Sequence, residues 1–342
     1  MGARHVAGLL CGSLLGCLAI GCNALFGIDD LEFSPVTRAG GEGAATAGGT
    51  GGAGGTTTQG GSGGVGVAGA GGATGGGVVG GAGGGGVLGP WGTPQLVSEI
   101  SESAYDDDDP VFTADRLELY FNSDRGDGGD SDIWVSVRSS TGDPWGAPQE
   151  VTELNSPQSD SNAIVSPDGL TLWLNSGRTG ETEIYVSTRQ SRTQSWSTPV
   201  LVPELNTAVG DVPCAVSADL RTIIVGSKPG GAWDLYQATR SSAAVPWGTP
   251  QPLTELNAPQ DDISAWMSAD GLLIYFDSER TGDLDIYWAS RSSPTGSFGA
   301  IEHLGPPINT QHNDSDPWLS EDLRLMMFAR GPPPRQIYQS TR

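Results

Sequence analysis

From residue 91 to the end of the chain, apolar and polar residues come in short runs, and nowhere do they recur at a helical spacing. Residues 160–205 hold one full set: "NAIVS", the turn "SPDG", "LTLWLNS", the polar loop "RTGET", "EIYVSTR" and "TPVLVPEL". Pro and Gly stand in "SPDG" where a tight turn accepts them. The pattern predicts four short strands, a to d. The set then repeats. An arginine closes strand c at Arg138, Arg189, Arg240, Arg291 and Arg342, 51 residues apart each time. An aromatic residue inside strand c keeps the same step, at Trp134, Tyr185, Tyr236, Tyr287 and Tyr338. A turn aspartate follows strand a at Asp115, Asp168, Asp219, Asp270 and Asp322. An aromatic-led start such as "WGTP" precedes strand d.

Strand b indicates how the units pack. One face carries Leu119, Leu172, Ile223, Ile274 and Met326; the other carries Tyr120, Trp173, Ile224, Tyr275 and Met327. A half-exposed sheet would alternate apolar with polar, so these sheets are expected to be covered on both faces. Radial stacking of four-stranded blades does that. The last copy, "QIYQSTR" (336–342), stops after strand c, while "WGTPQLVSEI" (91–100) stands before the first copy as a lone strand d. Joining the two closes the ring and removes two open sheet edges. The fold class predicted is all-β: a five-bladed β-propeller of four-stranded antiparallel blades over residues 90–342, with an N-terminal strand completing the last blade.

The unit "SPDGLTLWLNSGRTGETEIYVSTR" (166–189) resembles the WD40-like PD40 repeat found in TolB-type β-propellers and in envelope lipoproteins. The matching elements are S-x-D-G, an apolar strand, S-x-R-x-G and a D-I-Y-like strand, and the resemblance covers all five copies. It implies a cell-envelope propeller that works as a protein-binding platform. Three departures stand out. TolB-type rings commonly have six blades. The turn glycine occurs only at Gly169 and Gly271, with Arg116, Leu220 and Leu323 elsewhere, which predicts differently shaped turns. No α/β domain precedes the repeats.

The N-terminal third reads differently. Residues 6–21 form an apolar run behind Arg4, shorter than the ~20 residues of a membrane span. The run fits a secretory signal and ends in "LAIGC". That places a lipoprotein signal peptide at 1–21 and lipidation at Cys22, with Asn23 after it. By resemblance to Gram-negative lipoproteins, this predicts an exported, outer-membrane lipoprotein, periplasmic or surface-facing. Residues 22–38 are a short mature segment. Residues 39–89 are mostly Gly, with Glu42 the sole charge. Such a stretch cannot bury enough apolar surface to offset its chain entropy. A disordered linker is expected, with a reach of about 40 Å. Of four cysteines, only Cys214 is neither in the signal nor lipidated, so no internal disulfide is expected.

Charge narrows the partners. The net charge is −23, and residues 91–342 hold 36 acids against 15 Lys plus Arg. Such a surface repels phosphate backbones, so nucleic acid is not an expected partner. An envelope protein or another basic partner is, with the membrane reached through the lipid and the ring acting as a monomer.

Five acids recur eight residues before each turn aspartate: Asp107, Asp160, Asp211, Asp262 and Asp314. Placed where strand a begins, near the channel mouth, they form a candidate binding face. They also raise a second reading, a glycan-binding or glycan-hydrolysing propeller working through paired carboxyls. Three of them have an arginine 18 residues later, at Arg125, Arg178 and Arg280, which suggests structural pairing within each blade. Asp211 has Lys228 and Pro229 instead, and the arginine near Asp314 is Arg330. A third reading is a calcium-stabilised module. The loops "YDDDD" (105–109) and "DRGDGGDSD" (124–132) are rich in acids, with Asp124, Asp127 and Asp130 as weak calcium candidates. No other cofactor is expected. His303 and His312 have no nucleophile motif beside them, so no catalytic residue is assigned.

Overall fold

The computed structural model describes residues 88–126 and 129–342. The predicted signal peptide at 1–21, Cys22, residues 23–38, all but the last two residues of the Gly-rich segment, and Asp127 lie outside the described residues. Strand β1 (Gln95–Leu96) comes first. Blade 1 holds β2 (Asp107–Phe112), β3 (Glu118–Ser123), β4 (Asp132–Val137) and β5 (Gln149–Glu150). Blade 2 holds β6 (Asp160–Val165), β7 (Thr171–Ser176), β8 (Glu183–Thr188) and β9 (Val200–Leu201). Blade 3 holds β10 (Asp211–Val216), β11 (Thr222–Ser227), β12 (Asp234–Thr239) and β13 (Gln251–Pro252). Blade 4 holds β14 (Asp262–Met267), β15 (Leu273–Ser278), β16 (Asp285–Ser290) and β17 (Glu302–His303). Blade 5 holds β18 (Asp314–Leu319), β19 (Leu325–Arg330) and β20 (Gln336–Thr341), and its fourth strand is β1. Every neighbouring pair is antiparallel, and Gln95 and Leu96 lie opposite Gln339 and Tyr338. The predicted closure of the ring is therefore present.

Both faces of each second strand are buried. Leu119, Leu172, Ile223, Ile224, Ile274 and Met326 have no exposed surface, and Tyr120, Tyr275 and Met327 have almost none. Apolar clusters fill the seams between adjacent blades. In one of them, Tyr120 and Ile133 of blade 1 meet Ala163, Leu172 and Leu174 of blade 2.

The repeat landmarks act as fasteners. At every a–b turn the aspartate accepts the hydroxyl two residues earlier and the N–H two residues later; Asp168 takes Ser166 Oγ at 2.6 Å and Leu170 N at 3.0 Å. The five turns share one shape, contrary to the expectation from the missing glycines. Gly169 and Gly271 have φ of 73° and 68°, and Arg116, Leu220 and Leu323 adopt φ of 59°, 57° and 57° in the same place. The hydroxyl–aspartate brace holds these three residues in a left-handed conformation that side chains disfavour. The arginine closing strand c donates Nε to a turn carbonyl and lies over the aromatic that opens strand d. Arg240 does so with Leu220 O at 2.7 Å and with the Trp247 ring 3.9 Å from its centroid.

Strand d is shorter than predicted. In blade 2 only Val200 and Leu201 pair, and Pro203–Leu205 forms a 3-10 turn. Pro199 and Pro203 flank the pair and lack the N–H a ladder needs. Asn206 takes over the pairing: its side chain accepts Ile184 N at 2.6 Å and donates to Ile184 O at 3.0 Å. Asn155, Asn257 and Asn309 do the same in blades 1, 3 and 4. Among the described residues no helix is long and apolar enough to cross a membrane.

Candidate functional site in the central channel

The first strand of each blade shifts register after its second or third residue, at a bulge. The third residue there is Asp109, Asn162, Pro213, Ser264 or Asp316. All but Pro213 have positive φ, from 48° to 58°. Asp and Asn tolerate this better than most residues; Pro cannot adopt it. A bulge re-aims a side chain, and here all five residues line the central cavity.

That cavity has a volume of about 480 Å³ and draws its walls from all five first strands. Phe112, Val165, Val216, Trp266, Met267 and Trp318 give apolar walls, and the a–b turns edge the far end. At the inner end the fivefold pattern breaks. Blades 1 and 5 supply carboxyls, Asp109 and Asp316, each followed by a proline.

A larger acid cluster stands behind them. Asp109 accepts Asn122 Nδ2 at 2.6 Å, and Asp316 lines the same inner end of the cavity. Asp316 Oδ2 accepts Ser315 Oγ at 2.8 Å, and the Asp316 N–H donates to Asp277 Oδ2 at 2.8 Å. Asp277, from β15, is fully buried, and its Oδ1 has no hydrogen-bond partner among the described residues. One guanidinium serves the group. Arg335 holds Asp106 at 2.9 Å, contacts Asp108 closely and lies 3.9 Å from Asp316.

Five carboxyls around one guanidinium cannot all ionise in a buried place. Burial, with Asp316 and Asp108 alongside, pushes Asp109 well above the usual carboxylate range. Burial and Asp316 do the same to Asp277. Burial pushes Asp108 up to about 8 against the divided pull of Arg335, with Asp316 and Asp106 adding to the rise. Asp106 goes the other way: burial opposes its ionisation, but the hydrogen bonds from Arg335 outweigh it. The site therefore holds protons at neutral pH and has carboxyl oxygens to offer a cationic or hydrogen-bond-donating group.

The acids singled out by the repeat lie elsewhere. Asp107, Asp160, Asp211, Asp262 and Asp314 are fully buried, so none of them offers a carboxylate to an open face. Each accepts a backbone N–H from the loop before it, as Asp160 does from Ser156 at 2.5 Å. Arg125, Arg178 and Arg280 reach Asp107, Asp160 and Asp262 at 2.5, 2.8 and 2.6 Å, and Arg330 reaches Asp314 at 2.5 Å. Asp124 accepts the Asp106 N–H at 2.9 Å, and Asp130 is exposed. Among the described residues no group of three or more His, Cys, Asp or Glu is arranged to hold a metal ion. Cys214 lines the channel wall, and burial pushes its thiol up to about 12, so it is not a nucleophile there. The channel acids had a sequence signal that a search for fivefold regularity passes over. "DDDPVF" and "DSDPWL" share D-x-D-P, and Asp277 stands where other blades have Asn, Gly or Ala.

Comparison with known proteins agrees on the architecture. No protein-family model matches the chain, and no curated relative matches it. Among solved structures, the chain is similar to a protein described as TolB from Agrobacterium tumefaciens, with 20% identity over 66% of this chain and 69% of that one, and a TM-score of 0.45. TolB from Acinetobacter baumannii gives 17% identity over 68% of this chain and a TM-score of 0.45; the chain spans about half of that protein, 53%. The catalytic domain of a GH62 α-L-arabinofuranosidase from Coprinopsis cinerea gives 11% identity over 74% and 97% of the two chains, with a TM-score of 0.50. At these identities the likeness concerns the fold alone. Fold and site together define the class: a five-bladed β-propeller with an acid-floored central channel.

Proposed function

We propose that the chain is a non-enzymatic binding propeller that receives the tip of a partner segment in its central channel. The tip has an apolar stem, for the Phe112, Trp266 and Trp318 walls, and a cationic end, for the carboxyls. The observation that carries this reading is the placement of two carboxyls, Asp109 and Asp316, in the wall of an apolar central cavity. A small, mostly apolar pocket with a few placed polar groups is the usual form of a ligand site. The acidic balance of the ring favours a basic partner. A cation arriving there stabilises the carboxylates and displaces their protons, so binding strengthens as pH rises. Titration of the full chain with n-butylammonium at pH 6 and pH 8 tests this. Saturable binding, tighter at pH 8 and lost in Asp316→Asn, supports the reading. No binding at either pH removes it.

A second reading, glycan hydrolysis, is favoured by one feature: a carboxyl kept protonated beside a second carboxyl is a proton donor of the type such chemistry uses. An aryl-glycoside panel decides it. Turnover abolished by Asp109→Asn would support hydrolysis, and inert substrates throughout would leave binding alone. We further propose that Cys22 carries a lipid and that residues 39–89 tether the ring to an outer membrane. Cys22→Ala should then release the chain from the membrane fraction.

A further inference from the structure

Blade 3 differs from its neighbours at one repeated place. In blades 1, 2 and 4 an arginine lies across the start of the first strand and is held by three acceptors. Arg178 donates Nε to Ser176 Oγ at 2.7 Å, and its terminal nitrogen to Leu154 O at 2.6 Å and Asp160 Oδ1 at 2.8 Å. Arg125 and Arg280 repeat all three contacts. In blade 5 Arg330 reaches Asp314 and Ile308 O from two residues earlier. Each guanidinium also lies over the aromatic of strand c, as Arg178 does over Tyr185 at 4.8 Å.

Blade 3 keeps the acceptors and has no arginine of its own there. Asp211, Ser227 and Leu205 hold the matching positions, Tyr236 holds that of the ring, and the arginine position is Pro229. Asp211 Oδ2 accepts Thr207 N at 2.5 Å and Thr207 Oγ1 at 2.9 Å. Its Oδ1, the atom that takes the guanidinium elsewhere, has no hydrogen-bond partner among the described residues. Asp211 is fully buried, so a cover has to move. The exposed side chain beside it is Lys228: its stem passes Gly210, and its ammonium lies 4.7 Å from the Trp233 ring centroid. Gly230 and Gly231, just beyond, have open space around them.

We infer that blade 3 binds a guanidinium supplied by another molecule, most simply an arginine side chain of a partner protein, on Asp211, Ser227 and the Leu205 carbonyl against Tyr236. A carboxylate, a hydroxyl, a carbonyl and an aromatic face are the groups that four sibling sites use or closely match. A planar fork fits them better than an ammonium does. This site lies among the loops where first strands begin, separate from the channel cavity, and does not rest on the function proposed above.

The test is an NMR titration of the full chain with N-acetyl-argininamide at constant ionic strength, with N-acetyl-lysinamide as comparison. The arginine probe should give saturable shifts at the amides of 207–211 and at the Trp233 indole. Asp211→Asn should bind roughly tenfold more weakly, as expected for loss of a charge-assisted contact. Pro229→Arg supplies the side chain in cis, and should abolish probe binding and raise the melting temperature. No saturable shift in the wild type overturns the inference. So does equal binding of the lysine probe, or binding unchanged in Asp211→Asn. If Pro229→Arg does not fold, the Asp211→Asn comparison still decides.

Discussion

Replacing Arg280 with Met tests whether the repeated arginine–aspartate pairs hold the blades together. Arg280 donates to Ser278 Oγ at 2.7 Å, Leu256 O at 2.6 Å and Asp262 Oδ1 at 2.6 Å. The variant keeps the apolar stem and removes all three bonds. Asp262 has no exposed surface, and its one remaining contact among these is the Ala258 N–H at 2.5 Å. Leaving a buried charge without its partner costs ~3–5 kcal/mol. The Arg280 side chain is 21% exposed and Asp262 keeps a backbone donor, so the low end, about 3 kcal/mol, is expected. For a domain of this size that is a fall of roughly 6–12 °C in melting temperature. Calorimetry gives the temperature and urea titration the free energy. The double variant Asp262→Asn with Arg280→Met removes the stranded charge and should recover at least about half of the loss. A loss below about 1 kcal/mol would put the pair among ordinary surface ion pairs and refute the reasoning. A double variant no better than the single one would refute it too.

Other perturbations probe other layers. Asp277→Asn should flatten the pH dependence of stability. Native Asp277 keeps its proton above the ordinary value of 3.8, so its contribution is full in acid and fades as pH rises through the native pKa. The variant should match wild type near pH 4 and exceed it at pH 8 in thermal melts; a variant less stable at pH 8 would contradict the assignment. Gly169→Ala should lose ~1–2 kcal/mol, since φ is 73° and the added Cβ meets Thr113 Cγ2 at 3.0 Å. A neutral result in urea titration would count against the shared turn shape. Asn206→Ala removes the contacts that substitute for strand pairing and should cost about 2 kcal/mol, with faster hydrogen exchange at Ile184. Unchanged exchange there would show that the asparagine is dispensable.

The ring was legible because it is periodic. The 51-residue step, the doubly apolar strand b and the lone "WGTPQLVSEI" fix the blade number and the closing strand without reference to side-chain contacts. The aspartates repeated with the step were legible as well, but the repetition reflects their role. Asp107 and its four counterparts hold a loop in every blade and an arginine in all but blade 3. The channel site was hidden for the opposite reason. Asp109 and Asp316 share one place in the repeat, but the other three copies have no acid there, and Asp277 and Arg335 stand at other places, so only the folded ring brings the four together. The bulge that turns Asp109 inward is not visible as apolar alternation. The left-handed turns at Arg116, Leu220 and Leu323 were also missed, because the hydroxyl–aspartate brace sets the backbone there rather than the residue that adopts it.

Site-specific photo-cross-linking from the channel tests the central claim most directly. The photoreactive residue replaces Ala269, an exposed residue lining the cavity's turn-side end, in the full chain in cells. A control chain carries it at Val137, an exposed residue at the end of β4. The account expects a discrete cross-linked protein from position 269, weakened by Asp316→Asn and absent from position 137. No product from position 269, or the same product from both positions with or without Asp316, would contradict it.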